Sequence, residues 1–204
     1  MTARPDAASS DGRRARAVFF GSGAFGLPAL RALVEPPLRD IVDLVGVVSV
    51  PDRPVGRAGQ PAAVPAAVAA TELGIPVVKP ARLRDPDSVA SIAALGAELA
   101  ILADYGRLVP GSLLTIPRRG FLNLHPSLLP SHRGATPVAG TILAGDDEAG
   151  VTLFEMDAGL DTGPIVAQTA WRLAGHETTP GLEAAAAEAA ATLLAAELGP
   201  WLAG

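Results

Sequence analysis

Short apolar runs alternate with helical patterns along most of the chain. Several of the runs are almost wholly apolar, which is typical of strands buried on both faces of a parallel sheet. They predict strands at residues 17–20, 41–50, 76–78, 99–103, 121–125, 151–156 and 164–169. Apolar residues at helical spacing predict helices at residues 25–34, 64–73, 85–95, 136–143 and 183–198, with Asp85 as a possible N-cap.

This alternation predicts βαβ units, and therefore an α/β fold with a doubly wound, mainly parallel sheet covered by helices on both faces. Residues 1–16 have no periodicity and are rich in polar and turn residues, so we expect a disordered lead-in before one domain at 17–204. Residues 51–65 are rich in Pro and Gly and predict a long loop. In such a sheet, ligands bind beyond the carboxyl ends of the strands.

Composition excludes several classes of function. Of the 204 residues, 49% are hydrophobic and 18% are charged, which argues against a disordered chain. The absence of Cys removes disulfides, thiol catalysis and thiolate zinc sites, and favours a cytoplasmic location. The net charge of −5 offers no global basic field for nucleic acid. No uninterrupted apolar run is long enough for a membrane span, and no secretory signal is recognisable.

A glycine-rich turn follows the first predicted strand. Gly21-Ser22-Gly23-Ala24-Phe25-Gly26 matches G-x-G-x-x-G, the pattern of a dinucleotide site. Such a site also needs an acidic residue about twenty positions on, whereas Asp52 lies further along the chain in a predicted loop. A tight turn in which the glycines allow close packing is the simpler interpretation. A nucleotide-dependent oxidoreductase remains an alternative.

The strongest candidate chemistry lies at the end of the fifth predicted strand and just after it, in Asn123-Leu124-His125-Pro126-Ser127-Leu128-Leu129-Pro130. Strand alternation places Asn123 and His125 on the same side, about 7 Å apart, while Leu124 points into the core. An amide and an imidazole at one strand end can address one polar atom together. Further along, the turn Asp157-Ala158-Gly159-Leu160-Asp161-Thr162-Gly163 can bring the Asp161 carboxylate back toward His125.

A second candidate is the Pro-stiffened loop of residues 51–57, which carries Arg53 and Arg57. These two guanidinium groups could contact an anionic substrate beside the carboxyl edge of the sheet. An ordinary solvated loop is an equally good interpretation.

From about residue 17 to its end, the chain resembles the 10-formyltetrahydrofolate-dependent formyltransferases. The resemblance rests on Pro-Asp-Arg-Pro-x-Gly-Arg at 51–57, Tyr105-Gly106, Asn-x-His-x-Ser-Leu-Leu-Pro-x-x-Arg-Gly-Ala at 123–135, and Gly150-Val151-Thr152 with Met156-Asp157-x-Gly-Leu-Asp-Thr-Gly. It implies a Rossmann-like formyltransferase fold, 10-formyltetrahydrofolate as co-substrate and no metal. The loop at 51–57 and the long match at 123–165 are similar, more narrowly, to the methionyl-tRNA formyltransferases of translation initiation. That similarity implies initiator methionyl-tRNA as a partner.

Roles for individual residues also come from this resemblance. It implies that Asn123, His125 and Asp161 are catalytic, with the amide and imidazole donating to the formyl oxygen and the carboxylate favouring a charged imidazole and accepting the amine proton. It places Ser127, Leu128, Leu129, Pro130, Tyr105 and Gly106 around the folate, and Arg53 and Arg57 near the acceptor.

Other acceptors and functions stay open from the sequence. The resembling tRNA enzymes carry a further C-terminal barrel domain, whereas this sequence ends at Gly204, so we expect weak tRNA binding by this chain alone. Glycinamide ribonucleotide and amino-sugar nucleotides are rival amines. A folate-binding or RNA-binding protein without catalysis is a further alternative.

Overall fold

The computed structural model describes residues 13–55 and 60–204. Nine strands and seven helices are found in this part of the chain. In chain order they are β1 (Ala15–Phe20), α1 (Leu27–Ala32), α2 (Leu38–Ile41), β2 (Val42–Val48), β3 (Arg53–Val55), β4 (Gln60–Ala62), α3 (Pro65–Glu72), β5 (Val77–Val78), α4 (Pro86–Ala93), β6 (Leu99–Leu102), α5 (Gly111–Leu114), β7 (Phe121–His125), α6 (Pro137–Ala144), β8 (Glu148–Glu155), β9 (Ile165–Arg172) and α7 (Thr179–Ala203).

Seven strands form one sheet in the order β5-β2-β1-β6-β7-β8-β9. The first five of these are mutually parallel, whereas β8 and β9 pair antiparallel. The chain runs outward from β1 through β2 to β5 and then returns to β6 on the other side of β1. The sheet therefore has its topological switch point between β1 and β6. The predicted doubly wound, mainly parallel sheet is confirmed.

Each face of the sheet has its own apolar core, as a doubly wound sheet requires. Alternate residues of β1 point to opposite faces: Phe19 packs into the core formed with α1, α3 and α7, and Phe20 into the core formed with α4 and α5. The long helix α7 begins earlier than the sequence pattern predicted. The hydroxyl of Thr178 accepts a hydrogen bond from the N–H of Gly181 at 3.3 Å, which caps the helix.

The prediction of a loop across residues 51–65 was wrong. Strands β3 and β4 form a separate two-stranded antiparallel sheet, in which Pro54 lies opposite Pro61. Proline lacks a backbone N–H. In an antiparallel ladder, every second pair of opposite residues forms no hydrogen bonds with each other, so two prolines can face each other at such a position. The apolar pattern also failed to predict the short helices α2 and α5.

The beginning of the chain differs in detail from the prediction. Strand β1 begins at Ala15, so it overlaps the lead-in predicted for residues 1–16, of which residues 1–12 lie outside the described part.

Within residues 13–55 and 60–204, no helix combines the length and the apolar character needed to cross a membrane.

Candidate active site

Strand β7 carries the first two candidate residues and is buried along its whole length. Leu122 and Leu124 point into the core beneath α7, while Phe121 points into the core on the opposite face. By alternation Asn123 and His125 share the face of Phe121, further along toward the carboxyl end. They are 7% and 5% exposed, so the strand holds two polar side chains almost out of solvent, as the alternation predicted.

Both ring nitrogens of His125 have oxygen neighbours. Nε2 lies 3.0 Å from the backbone carbonyl oxygen of His132. A carbonyl only accepts, so Nε2 carries the hydrogen and donates it. On the other side of the ring, Nδ1 faces Oδ2 of Asp161 at 3.8 Å. The structure therefore brings Asp161 and His125 together, and it adds a carbonyl that the sequence did not reveal.

The Asp161 carboxylate is held by a backbone N–H from the loop after β7. Its Oδ2 accepts a hydrogen bond from the N–H of Gly134 at 2.8 Å, and its φ of 52° lies in the left-handed region. Within the same loop, Oδ1 of Asp157 accepts from the N–H of Gly159 and from the hydroxyl of Thr162. The loop thus has internal hydrogen bonds of its own, which fix the direction in which it presents the Asp161 carboxylate.

Side chains from the two neighbouring strands, β8 and β9, hold the loop after β7 against the sheet. Thr152 of β8 lies opposite His125 and also opposite Gln168 of β9. The fully buried Thr152 hydroxyl donates to the carbonyl of Ser127 at 2.7 Å and accepts from the N–H of Leu129 at 3.1 Å. The Gln168 amide donates to that hydroxyl and to the carbonyl of Leu129. Two strands therefore fix the backbone of residues 127–129.

The predicted folate loop presents only part of itself to solvent. Ser127 is 1% exposed and donates its hydroxyl to the carbonyl of Ser131, and Leu129 is 5% exposed. Leu128 packs across Gly150, where an added Cβ would lie 2.3 Å from the leucine Cδ2. Pro130, after a cis peptide bond, is exposed. The Ser127 hydroxyl thus closes the loop rather than lining an opening.

Tyr105 and Gly106 lie just beyond β6. The Tyr105 ring is 1% exposed and stacks edge-on against Phe20, and its hydroxyl has no hydrogen-bond partner within the described residues. Burial raises the pKa of this phenol to about 12. Gly106 is exposed, with φ of 74°. The tyrosine side chain therefore belongs to the core, and Gly106 presents backbone to solvent.

The side chains of the two predicted acceptor-binding arginines lie outside the part of the chain that the structure describes. The backbone of Arg53 belongs to β3, and its side chain is outside what the structure describes. Arg57 lies outside the described residues. Their contact with an acceptor stays a prediction.

The glycine turn is filled by the protein itself. The N–H groups of Ser22 and Gly23 both donate to the backbone carbonyl of Asp104, and an added Cβ at Gly23 would lie 1.7 Å from the Asp104 Oδ2. Asp104 is exposed as a residue, but its carboxyl group is partly buried, and this burial raises the pKa of the carboxyl. A hydrogen bond from the N–H of Phe25 opposes this rise in part. Amides paired in this way are not open to a pyrophosphate. The packed turn is the interpretation that the structure favours.

Sequence reasoning assigned no role to the residues that hold the site rather than form it: His132, Gly134, Thr152 and Gln168. The polar Thr152, in the otherwise apolar middle of β8, is a signal from which this supporting role could have been inferred. Among residues 13–55 and 60–204, no group of three or more His, Asp or Glu side chains could hold a metal ion. The arrangement offers an amide, an imidazole and a carboxylate around one nearly buried spot, which suits proton transfer beside a polarised oxygen.

Sequence comparison links the chain to proteins named methionyl-tRNA formyltransferase. It is 47% identical over 152 residues to the one from Sorangium cellulosum (strain So ce56), covering 74% of this chain and 47% of that protein. It is 44% identical over 181 residues to the one from Frankia casuarinae (strain DSM 45818 / CECT 9043 / HFP020203 / CcI3), covering 89% and 53%. The chain therefore spans about half the length of these curated relatives.

Solved structures share the fold over nearly the whole chain. Glycinamide ribonucleotide transformylase 1 from Geobacillus kaustophilus superposes with a TM-score of 0.75 at 26% identity, covering 93% of this chain and all of that one. Phosphoribosylglycinamide formyltransferase from Brucella melitensis gives 0.72 at 28% identity, covering 94% and 97%. Residues 15–198, which include the whole candidate site, match one family throughout, and the chain belongs to the formyl transferase family.

Proposed function

We propose that this chain transfers the formyl group of 10-formyltetrahydrofolate to an amine, the amino group of initiator methionyl-tRNA. The observation that carries the proposal is the contact of His125 Nδ1 with the Asp161 carboxylate at 3.8 Å, beside Asn123 on the same strand face. Sequence relatives named for methionyl-tRNA, at 44–48% identity, favour this acceptor. Structures named for glycinamide ribonucleotide, at 26–28%, make that amine the second candidate.

The residues present fit an acyl donor of this kind. When an amine attacks a formyl group on a folate nitrogen, negative charge develops on the formyl oxygen, and the amine proton finally resides on the folate nitrogen. The site must therefore stabilise an oxygen and move one proton.

Asn123 suits the stabilisation of the oxygen. The residue is 7% exposed, so the strand holds its amide largely out of bulk solvent. The amide N–H groups can donate to an oxygen that arrives with the substrate.

His125 and Asp161 suit the movement of the proton. Because Nε2 is already committed to the His132 carbonyl, Nδ1 is the nitrogen on the side of the carboxylate. A proton taken from the attacking amine can be held between Nδ1 and Oδ2 and then passed to the folate nitrogen. While it resides on Nδ1, the positive charge of the imidazolium also stabilises the negative charge that develops on the formyl oxygen. Gly134, by donating to Oδ2, keeps the carboxylate in place.

Product analysis tests the proposal. The protein is incubated with 10-formyltetrahydrofolate and either initiator methionyl-tRNA or glycinamide ribonucleotide, and the formylated product is measured. We expect formylmethionyl-tRNA. Asp161→Asn keeps an oxygen that can accept from Gly134 but removes the charge, so its rate should fall about 10²–10⁴-fold.

Asp87→Asn is the matched control, since Asp87 is exposed on α4, and it should keep the full rate. Formylation of glycinamide ribonucleotide alone would favour the second acceptor. Transfer to neither amine, or an Asp161→Asn variant as active as the control, would contradict the proposal.

A further inference from the structure

His132 is involved in the site through its backbone, and its own side chain is fixed elsewhere. Its carbonyl oxygen receives the Nε2 hydrogen of His125, while its imidazole Nε2 lies 2.6 Å from Oδ2 of Asp146, in the loop between α6 and β8. The φ of His132 is 53°, in the left-handed region that a residue with a side chain rarely adopts. Something outside the backbone must therefore hold this conformation.

Two features provide that hold. The carboxylate of Asp146 accepts the imidazole hydrogen, with the ring 20% and the carboxylate 38% exposed. The ring also packs against α6 at Gly140, where an added Cβ would lie 2.8 Å from the ring Nδ1. Glycine at this position leaves the space that the imidazole occupies. The imidazole ring is thus fixed by its hydrogen bond to Asp146 and by its packing against Gly140.

We propose that His132 is a positioning residue: its side chain, seated on Gly140 and bonded to Asp146, aims the His132 carbonyl so that it fixes the tautomer of His125. With the hydrogen on Nε2, the Nδ1 of His125 faces Asp161. In the other tautomer, the lone pair of Nε2 would meet the carbonyl oxygen, which is unfavourable. The proposal rests on the proposed function for its kinetic consequence, but its structural claim stands separately.

Gly140→Ala is the sharpest perturbation, because it touches neither histidine covalently. Alanine favours helix over glycine, which offsets part of the cost of moving the ring, so the variant should fold. Its Cβ should displace the His132 ring. Gly199→Ala, in α7, is the matched control, since its Cβ would meet only the Ile41 Cδ1 at 3.6 Å, an ordinary contact.

The experiment uses the full chain with ¹⁵N-labelled histidine, of which there are three residues. Imidazole ¹⁵N shifts, recorded with the rings neutral, report the tautomer of His125, and kinetics give kcat and KM for the folate. In Gly140→Ala and in His132→Ala, we expect His125 to become a mixture of tautomers. We expect kcat to fall about 10-fold with KM unchanged, as for outer partners that orient a histidine. Gly199→Ala and His176→Ala should match the wild type.

The double variant tests the mechanism directly. With the ring already removed by His132→Ala, Gly140→Ala has nothing to displace, so the double variant should behave like His132→Ala alone. A His125 tautomer unchanged in both single variants, or losses that multiply in the double variant, would overturn the proposal. Tautomer mixing in a protein that transfers no formyl group would instead overturn the proposed function and leave the positioning role standing.

Discussion

The Thr152 hydroxyl is the point at which the fold and the candidate site can be tested together. Thr152→Val keeps the shape of the side chain and removes the hydroxyl, which donates to Ser127 and accepts from Leu129 and Gln168. The carbonyl of Ser127 and the N–H of Leu129 then lose their partners in residues that are 1% and 5% exposed. Each such group costs about 1–3 kcal/mol when left unpaired.

The expected loss in the free energy of unfolding is smaller than the sum of the largest costs of the two unpaired groups. Gln168 still donates to the carbonyl of Leu129, so the loop keeps one tie to the sheet. Some relaxation toward water lowers the cost further, and we expect a decrease of about 3 kcal/mol in the free energy of unfolding. For a chain of this size, that corresponds to a fall in Tm of about 6–12 °C.

Urea denaturation measures this free energy, with Thr152→Ser as the control because serine keeps the hydroxyl. Folate KM should rise in Thr152→Val, since the loop of residues 127–130 is the predicted folate contact. A Thr152→Val protein as stable as Thr152→Ser would refute the reasoning that this hydroxyl pins the loop.

Two further predictions concern single positions. A Cβ at Gly163 would lie 1.7 Å from the backbone oxygen of Glu155. Gly163→Ala should therefore lower the free energy of unfolding by about 3 kcal/mol, the upper range for overpacking. Urea denaturation measures this loss with Gly199→Ala as the control, and equal stability of the two variants would contradict the prediction. Tyr105 is the only tyrosine in the sequence, and burial raises the pKa of its phenol to about 12. The protonated phenol therefore stabilises the folded state relative to the unfolded one. This contribution to the free energy of unfolding is lost as the pH rises from about 10 through 12. Tyrosinate absorbance should titrate near 12 in the folded protein, and Tyr105→Phe should flatten the fall in stability over that window without changing folate KM; a titration near 10 would contradict the buried setting.

The regular parts of the fold could be predicted because burial repeats with the period of each element. In β7, the alternation of Leu122 and Leu124 with Asn123 and His125 determined both the strand and the shared face of the two polar residues. The hairpin of β3 and β4 could not be predicted in this way. Its pairing depends on the register that sets Pro54 against Pro61, and no apolar alternation accompanies it.

Within the site, the chemical groups were predictable and their supports were not. A motif reveals side chains, whereas the carbonyl of His132 and the N–H of Gly134 are backbone groups that every sequence has. Their direction depends on left-handed conformations at His132 and Gly134, which only the folded loop determines. Likewise, the glycine turn matched a dinucleotide pattern, and only the fold revealed that Asp104 fills it.

The central claim is that His125 acts on the charge that develops during formyl transfer rather than on binding. Its most direct test is the single-turnover rate of formyl transfer by His125→Ala, measured beside the Kd for the folate and with His176→Ala as control. We predict a rate lowered about 10²–10³-fold with the Kd unchanged, since a positive charge beside a developing oxyanion contributes in the transition state. A rise in Kd as large as the fall in rate, or a rate equal to that of the control, would contradict it.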